Sequence, residues 1–404
     1  MKPLFNFLRY AAVLLTSLAI LSGCGGGGGG GGSATGTLGL SITDQPACGY
    51  DHVYITVEKV RFHQSQTAQD SDGGWQEIIL TPAKRIDLHS LTNGILETLG
   101  QTALPAGKYT QMRLVLASNS VTPLANSVVP TGGSEVALTT PSGQQTGLKM
   151  NVDMTVAAGT VADFTIDFDA CKSVVKAGNS GRYLLKPVMA VIPIVSDAGQ
   201  RIVGYLDTST LGATTNVSVQ SGGVVIKATP PDSTGQFVLY PVPAGTYDLV
   251  VTSTSHATAV MTGVPVVTTT YTFVGSSSVR IALTMAATHD ATGAVSLNAS
   301  TVDTAATVRA TQAVHSGPTI EVASMTADAD TGAYAFTLPI TAPQVTTYTV
   351  NPVSITFAPD SIDASLTAAG KYTLEASISG LTSQTTSINL LGGNAAMNFS
   401  FTNP

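Results

Sequence analysis

The sequence predicts an all-β chain of three consecutive β-sandwich or barrel-like domains, set behind an N-terminal export signal and a glycine linker. Two observations carry this. Charged residues make up only 11% of the 404, against about 25% in average soluble domains, and Thr, Ser, Val, Ala and Gly take their place while helix formers are scarce. Short runs of alternating apolar and polar residues recur between clusters of Gly, Pro, Asn and Asp, the pattern of sandwiches and barrels. The roughly 370 residues after the linker suffice for two or three domains with proper cores.

The N-terminus opens with Lys2 and Arg9 around a short basic segment, followed by an apolar run from Tyr10 to Ile20 of the length of a signal peptide. A membrane-spanning helix needs roughly 20 apolar residues, and Ser22, Gly23 and the glycines from Gly25 to Gly32 end this run early. Leu21-Ser22-Gly23-Cys24 resembles a bacterial lipobox. That resemblance implies a lipoprotein signal peptide over residues 1–23, acylation of the Cys24 thiol (palmitate among the chains) and membrane attachment through those chains. It also implies the outer membrane of a Gram-negative cell, since Gly25 stands where an aspartate would signal otherwise. Two or three acyl chains anchor firmly where one does not. Residues 24–35 read as the lipidated cysteine and a flexible linker with a root-mean-square reach of roughly 20 Å. A phosphate loop would need a preceding strand and a Gly-Lys-Ser/Thr ending, which do not occur here.

Eighteen basic and 25 acidic residues give a net charge of −7, and loss of Lys2 and Arg9 with the signal makes the chain more acidic by two. Such a surface disfavours nucleic acid or anionic lipid as partners. With Cys24 acylated, Cys48 and Cys171 remain, an even pair in a chain bound for an oxidising compartment. A disulfide between them is the natural reading; a metal pair or two buried thiols are the alternatives.

The first domain, residues 36–195, opens with Leu38, Leu40 and Ile42 alternating with small or polar residues, and Asp44-Gln45-Pro46-Ala47 then turns the chain. Val53 to Phe62 is a second strand, Asp70 to Gly74 a loop tip, and Trp75 to Ile79 a third strand. A helical turn is expected from Ile95 to Leu99. Leu104-Pro105-Ala106-Gly107-Lys108-Tyr109 then turns into a strand from Gln111 to Leu116. The motifs Thr43-Asp44-x-Pro46-Ala47, Pro105-Ala106-Gly107-x-Tyr109-Thr110-Gln111-x-Arg113-Leu114, Thr146-Gly147-Leu148-Lys149, Asp167-Phe168-Asp169-x-x-x-Ser173-Val174 and Leu184-Leu185-Lys186-Pro187 follow in order. This set resembles a bacterial lipoprotein domain known only as a domain of unknown function, family 4382. The resemblance implies an extracytoplasmic, mostly β domain and no catalytic residue.

Two further β-modules are expected at 201–286 and 289–404. In the first of these, Thr234-Gly235-Gln236-Phe237 leads to Pro243-Ala244-Gly245-Thr246-Tyr247; in the other, Thr331-Gly332-Ala333-Tyr334 and Ala369-Gly370-Lys371-Tyr372 echo it around an insertion rich in Pro, Thr and Ser. Gly sets each turn, and the aromatic two residues on points into the core. The middle module resembles the carboxypeptidase regulatory-like (transthyretin-like) sandwich, a family that implies spacing and packing. The last module is more divergent.

Motifs for catalysis are not found: there is no Gly-x-Ser-x-Gly elbow, no His-Glu-x-x-His and no dinucleotide fingerprint. His52, His63, His89, His256, His289 and His315 are scattered and read as surface or satisfied residues. Trp75 reads as packed on its own sheet, with a sugar platform as the alternative. Asp328-Ala329-Asp330-Thr331-Gly332 starts like a calcium loop but lacks its closing Glu, and reads as a turn.

One stretch stands out. Leu148 to Val156 and Phe164 to Phe168 both alternate, and a loop at Ala158-Gly159-Thr160 would make them a hairpin pairing Met154 with Phe164, Val152 with Ile166 and Met150 with Phe168. Its other face would set Lys149 opposite Asp169, Asn151 opposite Asp167 and Asp153 opposite Thr165. Asn151, Asp153, Asp163, Asp167 and Asp169 then form a candidate ligand-binding face, with calcium held by Asp163, Asp167 and Asp169, or a cationic or polyhydroxylated ligand. The alternative is that Lys149, Lys172 or Lys186 offsets these carboxylates and water solvates the rest. The sequence thus points to a lipid-anchored cell-envelope protein with a non-enzymatic binding or structural role and a protein or glycan as ligand. A hydrolase with a site assembled from distant residues and an adhesin or matrix component are the competing readings.

Overall fold

The computed structural model describes residues 34–45, 49–120, 123–140, 143, 146–297 and 306–402. Residues 1–33, where the signal peptide, the acylated Cys24 and the glycine linker are expected, and Pro46, Ala47 and Cys48 lie outside the described residues. The chain from Ala34 onward is one compact unit and is almost entirely β, as its composition predicts. Among the described residues, no helix is long and apolar enough to cross a membrane.

The first domain contains β1 (Thr35–Asp44), β2 (Tyr50–His63), β3 (Gln76–Asp87), β4 (Glu97–Pro105), β5 (Gly107–Leu116), β6 (Ser127–Pro130), β7 (Val136–Thr139), β8 (Leu148–Val156), β9 (Val161–Phe168), β10 (Val174–Ala177), β11 (Arg182–Leu185) and β12 (Met189–Ile194). A short helix, α1 (Ala170–Ser173), follows β9. One sheet runs β12-β9-β1-β4, with β1 and β9 parallel; the facing sheet runs β10-β11-β7-β6-β2-β5-β8, with β3 also paired to β2. Leu38, Ile42, Phe62, Tyr109, Met112 and Phe168 are fully buried between them.

Two expectations for this domain are corrected. The helical turn lies earlier, as a 3-10 turn over Leu88–Leu91 whose start is capped by the Asp87 carboxylate accepting from the His89 N–H. Asn93 and Gly94 then take left-handed φ of 58° and 80° and reverse the chain into β4. The expected hairpin is not one. β8 pairs with β5, matching Met154 to Tyr109 and Met150 to Met112, whereas β9 pairs with β1 and β12 in the facing sheet. Ala157 to Thr160, with Gly159 at φ 69°, carries the chain across the sandwich instead of back along the same sheet. Both strands bury one face in the same interior, so alternation alone does not distinguish an arch from a hairpin.

The second domain is built from β13 (Ile202–Tyr205), β14 (Asn216–Ser221), β15 (Val224–Thr229), β16 (Gln236–Leu239), β17 (Gly245–Thr252), β18 (Ala259–Val266) and β19 (Thr272–Val274). The third has β20 (Thr288–Leu297), β21 (Thr307–Ala313), β22 (Thr319–Thr326), β23 (Ala333–Pro339), β24 (Gln344–Thr347), β25 (Ala358–Pro359), β26 (Lys371–Ser377), β27 (Gln384–Asn389), β28 (Ala395–Ala396) and β29 (Phe399–Phe401). In the second domain β16-β13-β19 face a sheet ordered β15-β14-β17-β18-β24-β25. The last two strands of that sheet come from the insertion in the third module. β24 pairs in parallel with β18, and Tyr348, Ile355 and Phe357 pack on the second core. The third core lies between β20 with β23, β28 and β29 on one side and β22-β21-β26-β27 on the other.

Four of the five aromatics that follow these glycines are buried as the spacing predicts, with Tyr109, Phe237, Tyr334 and Tyr372 at most 3% exposed, whereas Tyr247 is only partly buried against the second core. In both Pro-Ala-Gly-x-Tyr segments the tyrosine hydroxyl returns to the proline carbonyl four residues back, Tyr109 to Pro105 and Tyr247 to Pro243, each at 2.9 Å. The Tyr109 ring fills its core and the Tyr247 ring packs against the second core, half-buried, and in each the one polar atom is satisfied by its own turn.

Candidate functional site

The five acidic-face residues are dispersed. Asn151 and Asp153 project from β8 into solvent, where Asp153 meets Lys108 at 3.0 Å. Asp163 is exposed and lies flat against β1, where a Cβ on Gly39 would strike its carboxylate. Lys149 stands opposite Arg113 on β5 and not opposite Asp169. The single face expected from a hairpin does not exist, because β8 and β9 belong to different sheets. Among the described residues no three His, Cys, Asp or Glu side chains gather as a metal would require. The reading of Asp163, Asp167 and Asp169 as one calcium site is therefore corrected.

Asp167 and Asp169 are instead the centre of a buried charged junction. Parallel pairing with β1 puts the end of β9 beside Asp44 and Gln45. Asp167 Oδ1 meets Lys227 Nζ of β15, with the two side chains 0% and 1% exposed, and Asp167 Oδ2 accepts from Gln45 Nε2 at 3.1 Å. Burial raises the Asp167 carboxyl above its ordinary range, against the pull of the Lys227 ammonium and its hydrogen bonds. Asp44 is fully buried; its Oδ1 accepts from the Ala170 N–H at 3.1 Å, and its Oδ2 has no hydrogen-bond partner. Burial, with the Asp169 and Asp167 carboxylates beside it, pushes the Asp44 carboxyl well up.

Asp169 caps α1 by accepting from the Lys172 N–H and meets Lys172 Nζ at 3.3 Å. Lys172 Nζ also reaches Glu321 of β22 at 3.3 Å, and Glu321 and Glu375 share Arg309. Burial alone would lower the Lys172 ammonium, but Asp169 and Glu321 more than offset it and hold it above the ordinary lysine range. The chain of charges runs from the first domain into the second through Asp167 and Lys227, and into the third through Lys172 and Glu321.

Neutral contacts close the same triangle. The Asn93 side chain and backbone bind Val238 and Thr229 of the second domain. Between second and third domains, the buried Gln220 carboxamide bonds both the N–H and the C=O of Glu321, at 2.7 and 2.8 Å, and Val250, Val260, Val314 and Ile320 form a small apolar cluster. A cavity of about 610 Å³ lies where the three domains meet, with Asp169, Lys172, Gln220 and Glu321 in its wall.

The remaining sequence-flagged residues serve local structure. Trp75 lies against the guanidinium groups of Arg61 and Arg113, 4.5 and 4.7 Å from the ring centre, and its indole N–H donates to the Gln69 carbonyl. The Asp328 carboxylate accepts from the N–H groups of Asp330 and Thr331, and that turn docks on the first domain through the Ala329 N–H to Lys176 carbonyl bond of 2.9 Å. His52 pairs with Asp87 and His289 with the Leu390 carbonyl, both at 2.6 Å. Cys171 on α1 is disulfide-bonded, with its partner outside the described residues.

Sequence reasoning missed Lys227, Asp44 and Gln45. Lys227 had a signal: it is a lone cation within the apolar strand Val224-Val225-Ile226-Lys227-Ala228, where an unpaired charge would be costly. Asp44 and Gln45 were read only as part of a turn.

Residues 35–187, which make up most of the first domain, match the family model described as a domain of unknown function (DUF4382). No curated protein matches the chain. Among solved structures it is similar to a type II cohesin-X-dockerin complex from Acetivibrio cellulolyticus, at 23% identity and a TM-score of 0.18 over 21% of this chain and 57% of that one. It is also similar to the Bacillus anthracis TIE protein, at 10% identity and a TM-score of 0.17 over 92% of this chain and 51% of that one. The full-length major pilin SpaD from Corynebacterium diphtheriae aligns at 11% identity and a TM-score of 0.20 over 92% and 98%. The chain thus spans just over half the length of the first two.

Proposed function

We propose that the protein is a lipid-anchored component of the cell envelope whose role is to hold a rigid multi-domain body near the membrane for binding or structural purposes, not to carry out a reaction. The observation that carries this reading is the use made of its buried charges. Asp167 with Lys227, and Asp169, Lys172 and Glu321 with one another, are spent in cohesion between domains. In this reading Cys24 bears the acyl chains, the glycines after it are the tether, Cys48 pairs with Cys171, and the middle domain is a carboxypeptidase regulatory-like spacer.

The anchor is tested by fractionation. Cys24→Ala should move the protein from the detergent phase to the aqueous phase, because it removes the site of the acyl chains. A mutant that partitions with detergent as the wild type does would contradict the proposal.

A further inference from the structure

We propose that Lys227 and Asp167 become joined by an isopeptide bond between the lysine Nζ and the aspartate Cγ, with Gln45 assisting the condensation, so that the first and second domains are covalently linked.

The geometry has the parts such a reaction needs. Nζ of Lys227 touches the Asp167 carboxylate directly, and both side chains are sealed from water. Fixing the reacting groups against each other gives the high effective concentration that an amide-forming step between two free side chains lacks in solution. Exclusion of water removes the competing reverse reaction. Gln45 donates to Asp167 Oδ2, the oxygen that would remain as the amide carbonyl, and is placed to stabilise the negative charge that develops there.

The step balances without any other reactant. A proton passes from the Lys227 ammonium to Asp167, giving a neutral amine and a carboxylic acid. The amine lone pair attacks Cγ and forms a tetrahedral centre. A proton passes from Nζ to the Oδ1 hydroxyl, the C–O bond breaks and one water leaves, the negative charge on Oδ2 collapsing to the amide carbonyl. An ammonium and a carboxylate are replaced by a neutral amide, so two charges that are costly to hold in a dry interior disappear.

The test is mass spectrometry of the full-length exported protein. The wild type should be lighter by one water than its processed sequence, and digestion should yield one branched peptide joining the segments that carry residues 167 and 227. Lys227→Arg keeps the charge pair but has no condensing amine, and should return the unmodified mass while remaining folded. Wild-type protein at the unmodified mass, with the two segments in separate peptides, would overturn the proposal.

Discussion

Before any bond forms between them, taking Lys227 and Asp167 out of water costs several kcal/mol per ion, and their contact with each other and with Gln45 offsets it. Lys227→Ala should therefore be about 3–5 kcal/mol less stable than Lys227→Arg, which keeps the ion pair and cannot condense, because it leaves Asp167 buried without a cation. Replacing both partners with apolar residues, Lys227→Met with Asp167→Leu, should recover most of that loss; urea unfolding of the three proteins makes the comparison, and a double variant no better than the single one would contradict it. Asp44 adds a pH dependence. Burial first, and the Asp169 and Asp167 carboxylates next, raise its carboxyl well above the aspartate range. A carboxyl raised on folding contributes stability that is fully present below the unfolded value of about 3.9 and is lost as pH rises through the folded one. Asp44→Asn, uncharged throughout, should lose less stability than the wild type as pH rises from that value. Parallel stability curves would count against this account of Asp44.

At the scale of elements, the most legible features were those written within a few residues. The Pro-Ala-Gly-x-Tyr turns predict a strand start and a buried ring, and the structure adds the hydroxyl bonds of Tyr109 and Tyr247 to the carbonyls of Pro105 and Pro243. Tyr109→Phe and Tyr247→Phe should each cost about 1 kcal/mol in equilibrium unfolding, since each removes one hydrogen bond and little apolar area. A change indistinguishable from zero at both positions would mean that these bonds only accompany the packing. Partner choice was not legible. Met150, Val152 and Met154 alternate as a hairpin arm would, yet their strand pairs with β5, because alternation reports which face is buried and not which neighbour lies alongside. The acidic face failed for that reason alone: Asp167 and Asp169 point to a neighbouring domain, and Asn151 and Asp153 sit in the opposite sheet.

For the whole molecule, the composition was a sound guide to an all-β chain with several sheets, since each core needs only short alternating segments. How those cores contact one another depends on residues far apart in sequence, and periodicity carries no trace of it. The insertion between Tyr334 and Tyr372 is the clearest case. It reads as an interruption of the third domain, whereas its strand β24 extends the sheet of the second through β18. Together with Gln220 clasping Glu321, Lys227 meeting Asp167, and Lys172 bridging Asp169 and Glu321, it binds each domain to the other two. Domains joined only by linkers unfold one at a time, but domains sharing a sheet and buried charges should unfold together. Differential scanning calorimetry of the full chain tests this most directly. A single transition, with calorimetric and van't Hoff enthalpies equal, is the result expected of one interlocked body; two or three resolved transitions would contradict it.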